Sequence, residues 1–279
     1  MMIIDAQFLR EGSHGPFVPR PHDLLKNERG IARVLPDAIF VSARILYRRI
    51  SYVIGRKVSP FHLYDSVGAA FIHVPKNAGT FINSVVYPDF SPETSTKINA
   101  HHSAQYLLLL DKSAFDAVKK FAILRNPAAR LRSAFDYLKF KTPFDTDKAF
   151  AEKSLSNFAT FEEFCANVDD DTFTELMAWP HFQPQISFIC DAHGTLLVNA
   201  LTVFERMDMG LQNIGNAWGK DWSGIEVNTA PLKTNEAITA IVEKYYASDL
   251  RLWKTVNASP EACCLVSRPS SKFLGKMAT

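Results

Sequence analysis

The 279-residue chain has no dominant sign of charge: 31 lysines and arginines stand against 29 aspartates and glutamates, a formal net charge of +2. A protein that grips the nucleic-acid backbone usually carries a pronounced basic excess, so nucleic acid is excluded as the main partner. Cysteine is sparse and unpatterned. Cys165 and Cys190 stand alone and Cys263 and Cys264 are adjacent, which leaves no CxxC pair and no zinc-ligand spacing. The thiols read as buried and inert, as suits a reducing compartment. The first twenty residues hold Asp5, Arg10, Glu11 and two prolines but no apolar h-region, and no apolar run is long enough to span a bilayer. The chain therefore reads as cytoplasmic. It also lacks internal repeats and any carboxylate cluster that would call for a metal ion. Apolar residues, in contrast, are plentiful: 47% hydrophobic, with 21 Phe, 8 Tyr and 4 Trp. That excludes a disordered chain, and the length suits one large α/β domain or two small ones.

Residues 1–36, rich in Pro, Gly, His and charge, read as an irregular arm. Over 36–56 the spacing of Ile39, Ala43, Leu46, Ile50 and Val53 predicts an amphipathic helix, with Arg44, Arg48, Arg49 and Arg56 falling largely elsewhere. The ordinary expectation is a helix docked on the domain with its arginines in solvent; the alternative is a helix lying on an anionic membrane. Residues 1–66 are thus expected to form an arm and 67–279 the main domain. Two strand–turn–helix units follow. Residues 68–74 form a short apolar run, read as a buried strand leading through Pro75-Lys76-Asn77-Ala78-Gly79-Thr80 into a helix. Residues 119–125 form a second, followed by Asn126 as a cap and Pro127 at the first helical position, with helical periodicity to about Phe140. A helix is expected within 158–168, a hairpin turn at 191–194 between strands 186–190 and 196–204, and helices at 207–218 and 235–256. Alternating strands and helices predict an α/β fold with a mostly parallel central sheet covered on both faces, in three α/β/α layers.

The turn at 75–80 has the makings of a phosphate pocket. A strand-to-helix turn aims backbone N–H groups at one point, and the helix dipole adds positive charge there. Gly79 permits close approach, Thr80 brings a hydroxyl and Lys76 a mobile charge. The nucleotide-kinase loop GxxxxGK[ST] is absent, because the lysine here precedes the glycine and the first glycine is missing, which disfavours ATP or GTP hydrolysis. At the second unit Arg125 ends a strand, while Arg130 and Ser133 are i, i+3 neighbours on the following helix. A guanidinium and a hydroxyl can hold a terminal phosphate. At the carboxyl ends of adjacent strands, both places could serve one nucleotide with anions at two ends.

Four separated segments carry a resemblance. FIHVPKNAGT (71–80) resembles the 5′-phosphosulfate loop of the carbohydrate-type sulfotransferases, and FAILRNPAARLRSAF (121–135) resembles their 3′-phosphate signature. HFQPQISFICDAHGTLLVNALTVFERM (181–207) is similar to the family's Pro-Gln segment and closing Phe-Glu, and EKYYASDLRLW (243–253) to its last helix. The order matches across about residues 68–256. Asn77 departs from the usual threonine, and there is no membrane anchor such as Golgi members carry, so the closer likeness is to a soluble bacterial-type member.

The resemblance implies a P-loop-like sulfotransferase fold. It also implies transfer of a sulfuryl group from 3′-phosphoadenosine 5′-phosphosulfate to a hydroxyl, with a glycan or glycolipid as the default acceptor and no metal ion. The donor site would comprise Lys76, Asn77, Ala78, Gly79, Thr80, Phe81, Arg125, Ser133 and Lys233, the last on a loop with Asn228 that in relatives reaches toward the nucleotide. Lys76 would also be catalytic, balancing charge on the leaving phosphate. His101 and His102 are the candidate bases, with His102 fitting the His-Ser/Thr-Ala pattern better. His73 reads as a core residue, His181 as a candidate lining of the acceptor cleft, and Glu205 as either a positioning residue or half of an ion pair. The aromatics Phe144, Phe150, Phe158, Phe161, Phe164, Phe173 and Trp179 are either a sugar platform or core. The alternative to an enzyme is a non-catalytic nucleotide-binding or membrane-peripheral protein on the same fold.

Overall fold

The computed structural model describes residues 1–10, 18–25, 36–87, 90, 101–225 and 234–267. Among them five strands form one mixed sheet in the order β1-β5-β4-β3-β2: β1 (Met2–Asp5), β2 (Ala69–Phe71), β3 (Lys119–Leu124), β4 (Ala200–Val203) and β5 (Cys263–Ser267). Three pairings are parallel, and β4–β5 is antiparallel. Every residue of β4, at the sheet centre, and of β2, at one edge, is buried, so helices or loops cover both faces there. The chain is α/β, as its alternating pattern predicts.

The first five residues correct the expected arm. Met2 to Asp5 pair in parallel with Cys264 to Ser267, which makes β1 an edge strand of the sheet. The expected boundary at residue 66 therefore does not separate an arm from the main unit. Residues 18–25 are bound in as well. Asp23 accepts hydrogen bonds from the Ser103 N–H (2.8 Å) and hydroxyl (2.9 Å), and Gln183 spans the His22 N–H and the Arg20 carbonyl. The expected turn at 191–194 is present, with the Asp191 N–H donating to the Thr195 carbonyl (2.9 Å) and the Gly194 N–H to the Asp191 carbonyl (3.0 Å), but the two strands expected to flank it are not. Residues Ile186–Ile189 form a short helix, and only an isolated bridge joins Cys190 to Leu196. The last long helix is two, Glu236–Tyr245 and Ala247–Asn257, broken at Tyr246.

The predicted helix near 36–56 is α1 (Asp37–Val53), but it docks by the opposite face from the one expected. Ile45 and Ser51 are buried, Arg49 donates to the Leu110 and Leu109 carbonyls at 2.8 and 2.9 Å, and Arg44 reaches the Leu25 carbonyl at 3.5 Å. The stripe of Ile39, Ala43, Leu46, Ile50 and Val53 faces solvent. Carbonyls at a helix C-terminus attract cations, and Arg49 of α1 meets such an end, that of the helix Ala104–Leu110.

A second apolar cluster gathers Phe135, Phe161, Phe164 and Phe173 at or below 2% exposure, and Phe150 stacks on Trp179 at 4.3 Å. Most of the aromatics at 144–179 are core. All four cysteines are buried and unpaired.

Burial keeps four histidines neutral: His22 is pushed down to about 3, His101 to about 4, His102 to about 3 and His181 to about 2. Burial raises Asp23 and Asp249 to about 6 each. Depressed histidines remove stability as pH falls through the unfolded histidine value near 6.5. Raised aspartates work the other way between about 4 and 6. Four histidines outweigh two aspartates, so near pH 5 the unfolded chain binds about two more protons than the folded one. Urea denaturation should therefore show stability falling from pH 7 to pH 5, by roughly 2–3 kcal/mol per pH unit near pH 5. A flat or rising profile would contradict the burial of these rings.

Candidate functional site

An open cleft of about 830 Å³ lies where the loops after β2 and β3 meet. Its wall includes Lys76, Ala78, Gly79, Thr80, Phe81, His101, Arg125 and Ser133, so eight of the eleven residues singled out from sequence converge on one space. Asn77 and His102 are not on this wall, and Lys233 lies outside the described residues, as does Asn228.

The first loop is folded tightly. Lys76 and Ala78 both adopt left-handed backbone, with φ of 70° and 60°. Such turns curl successive N–H groups toward one point, at a cost of about 1–3 kcal/mol for each non-glycine residue held there. Ala78 is the N-cap of α2 (Gly79–Val86), and its side chain cannot accept a hydrogen bond from the helix's first amides. Gly79 permits the fold, because a Cβ built there would lie 1.6 Å from His73 Nε2. Asn77 turns inward instead of toward the cleft. Fully buried, its amide donates to the Ile123 carbonyl (2.6 Å) and to Gln185 Oε1 (2.7 Å).

The second loop is fixed from several sides. Asn126 caps α3 (Pro127–Phe140) by accepting from the Ala128 and Ala129 amides. Its own N–H donates to Glu205 Oε1 at 2.8 Å, and Trp253 Nε1 donates to Glu205 Oε2 at 2.9 Å, so Glu205 positions the loop. Gln185 accepts from the Arg125 N–H (2.9 Å) while donating to the Arg125 carbonyl (2.9 Å). Arg125 Nη1 donates to the Lys76 carbonyl at 2.9 Å, which ties the two loops together. Arg130 does not face the cleft alongside Ser133. It is 2% exposed and donates to the carbonyls of Pro75 (2.9 Å), Gln183 (2.7 Å) and Pro180 (3.5 Å), clamping the first loop from below.

Positive charge in the cleft is poorly balanced. Lys76 Nζ lies 3.8 Å from the centre of the Tyr137 ring, and burial with the charges of Arg125, Lys141 and Arg130 pushes its ammonium down to about 8. Arg125 is likewise depressed by burial, against the pull of Glu205, and its Nε is buried with no hydrogen-bond partner. Such a site gains from an anion.

Of the paired histidines, the cleft takes His101. The ring of His101 packs 4.3 Å from that of His73 and hydrogen-bonds the His73 backbone, and its Nδ1 is buried without a partner. His102 points away, 5% exposed, stacked on Tyr106 at 4.8 Å beside Arg44 and Arg48. His22, His73 and His181 also line the cleft. Among the described residues, no group of three or more His, Cys, Asp or Glu side chains is arranged to hold a metal ion. Of the aromatics at 144–179, Phe144 alone is on the wall, 55% exposed, near Thr146 and Asp147.

Of Gln185, Tyr137 and Asp249, the sequence pattern picks out only Gln185, within a segment that could line the acceptor cleft, and gives none of the three a positioning role. Asp249 is 1% exposed and accepts from the Gln185 and Ile186 amides at 2.7 and 3.0 Å. A glutamine within the apolar stretch QPQISFIC is the available signal for the first; nothing local marks the other two.

Compared with known proteins, the chain matches no family model, no curated protein and no solved structure.

Gly79→Ala should weaken anion binding and lower stability by roughly 1–3 kcal/mol, since the new Cβ overlaps the His73 ring and must displace it on the cleft wall; wild-type melting would contradict the packing. The cleft's affinity for inorganic pyrophosphate should fall as pH rises from 7 to 9 through the Lys76 value, and the fall should be absent in Lys76→Arg.

Proposed function

We propose that the chain is a sulfotransferase on a P-loop-like, three-layer α/β/α fold. It would move a sulfuryl group from 3′-phosphoadenosine 5′-phosphosulfate to a hydroxyl of a glycan or glycolipid. The observation that carries this proposal is the convergence of Lys76, Thr80, Arg125 and Ser133 on one cleft, with Arg125 bonded to the Lys76 carbonyl. The residues fit a donor with two anionic ends: the N–H groups and ammonium of the first loop suit the 5′-phosphosulfate, and Arg125 with Ser133 suits the 3′-phosphate.

The chemistry is an in-line displacement at sulfur. The acceptor oxygen forms the new S–O bond while the bond to the 5′-phosphate oxygen breaks, releasing adenosine 3′,5′-bisphosphate. By analogy with phosphoryl transfer, negative charge builds on the departing oxygen. Lys76 balances that charge, aided by the loop amides and the Thr80 hydroxyl. His101, neutral at pH 7, accepts the acceptor's proton. Phe81 and Phe144, 40% and 55% exposed on the cleft wall, offer faces for a sugar ring. Nucleotide-kinase chemistry is disfavoured by the position of the lysine before Gly79.

Transfer of sulfur-35 from labelled donor to a panel of glycans and glycolipids tests the proposal. Lys76→Ala should lower turnover roughly 10²–10³-fold with little loss of affinity for the bisphosphate product. Arg125→Ala should mainly weaken donor binding. His101→Asn should cost roughly 10²-fold in turnover, and His102→Asn far less. Near-normal sulfation by Lys76→Ala would overturn the assignment, and donor binding without transfer to any acceptor would favour a non-catalytic nucleotide-binding protein.

A further inference from the structure

The outward face of α1 is an apolar surface that neither the core nor the cleft uses. Ile39, Leu46, Tyr47, Ile50 and Val53 are 54, 57, 56, 50 and 87% exposed, and Ile54 and Val58 extend the surface beyond the helix at 55 and 45%. Exposed apolar groups so grouped mark a contact surface more often than chance scatter. The helix is not loose, because Ile45, Ser51 and the two Arg49 bonds hold it to the domain with this face turned away.

Along the helix and the turn after it, charge is of one sign. Arg56 is exposed and Lys57 is half-buried, while Arg49 is engaged by the Leu109 and Leu110 carbonyls. From residue 38 to 58 there is no acidic residue, and Asp37, at the helix start, is engaged by Arg20 at 2.8 Å. A second copy docked on this face about a two-fold axis would bring Arg56 and Lys57 toward their equals with no carboxylate from 38–58 to pair them. An anionic lipid surface meets both requirements, taking the apolar stripe at the level of the acyl chains and the basic rim at the headgroups.

We propose that α1 is a docking helix for anionic phospholipid surfaces, lying in the plane of the interface. Among the described residues no helix is long and apolar enough to cross a membrane, so the contact would be peripheral. The proposal stands apart from the sulfotransferase assignment and fails or survives without it.

The test is co-sedimentation of the full chain with vesicles of phosphatidylcholine alone or mixed with phosphatidylglycerol. Binding to the mixed vesicles should be at least about tenfold tighter and should weaken with salt. Ile50→Glu with Val53→Glu should lower it at least about tenfold, and Arg56→Glu with Lys57→Glu roughly tenfold. Both pairs replace residues outside the core, so the melting temperature should stay at the wild-type value and confirm folding. Equal binding to neutral vesicles, no vesicle binding, or binding indifferent to the Ile50/Val53 pair would overturn the proposal. So would a dimer in sedimentation equilibrium that Ile50→Glu with Val53→Glu dissolves, which would give the face to a second copy.

Discussion

Gln185 stands where three segments of the chain meet, and the cleft depends on its carboxamide. One oxygen accepts from the Arg125 amide and from Asn77, while the nitrogen donates to the Arg125 carbonyl. The first loop is thereby held to the second through side chains that never touch the cleft. Asp249 fixes the glutamine's own backbone from beneath, and Arg130 clamps Pro75 to the 180–183 segment. Buried polar groups are costly when left unpaired and rigid when paired. This network holds the lysine loop in its tight turn and accounts for two non-glycine residues in left-handed backbone.

Above that network the cleft is built against its own charge. Burial depresses Lys76, and Arg125, Lys141 and Arg130 lie close enough to add to it, while the nearby rings of His22, His101 and His181 stay neutral. A protein tolerates such crowding where an anion offsets it. The same burial and positive surroundings keep these rings uncharged at pH 7, so they add no further positive charge to the cleft.

How much was legible in the sequence varied with how local the cause was. The Asn126-Pro127 start of α3 and its end at Phe140 follow from capping and periodicity, and the loop at 75–80 from the Lys-Asn-Ala-Gly-Thr run between an apolar strand and a helix. Strand β1 was hidden because its four residues gain their place only by pairing with β5, at the other end of the chain. The amphipathic stripe of α1 was visible, but periodicity identifies a stripe without saying which side the protein occupies. Ile45 and Ser51 are the side the domain buries, and Arg49 bonds the Leu109 and Leu110 carbonyls, which leaves the stripe turned out. His101 and His102 are neighbours on a bent segment ahead of the Ser103 cap, where adjacent side chains diverge, so a motif could not choose between them. Asn77 looked like a weakened donor ligand and is instead a strut.

The central claim is that the two loops form one site for a nucleotide carrying phosphate at both its 3′ and 5′ positions. Isothermal titration calorimetry of the full chain with adenosine 3′,5′-bisphosphate and with ADP tests it most directly. The account predicts one site per chain, a preference of at least about a hundredfold for the bisphosphate, and loss of most of that preference in Arg125→Ala, because a charge-assisted hydrogen-bonded phosphate is worth about 2–3 kcal/mol or more. Equal affinity for the two nucleotides, or a preference that Arg125→Ala leaves intact, would contradict it.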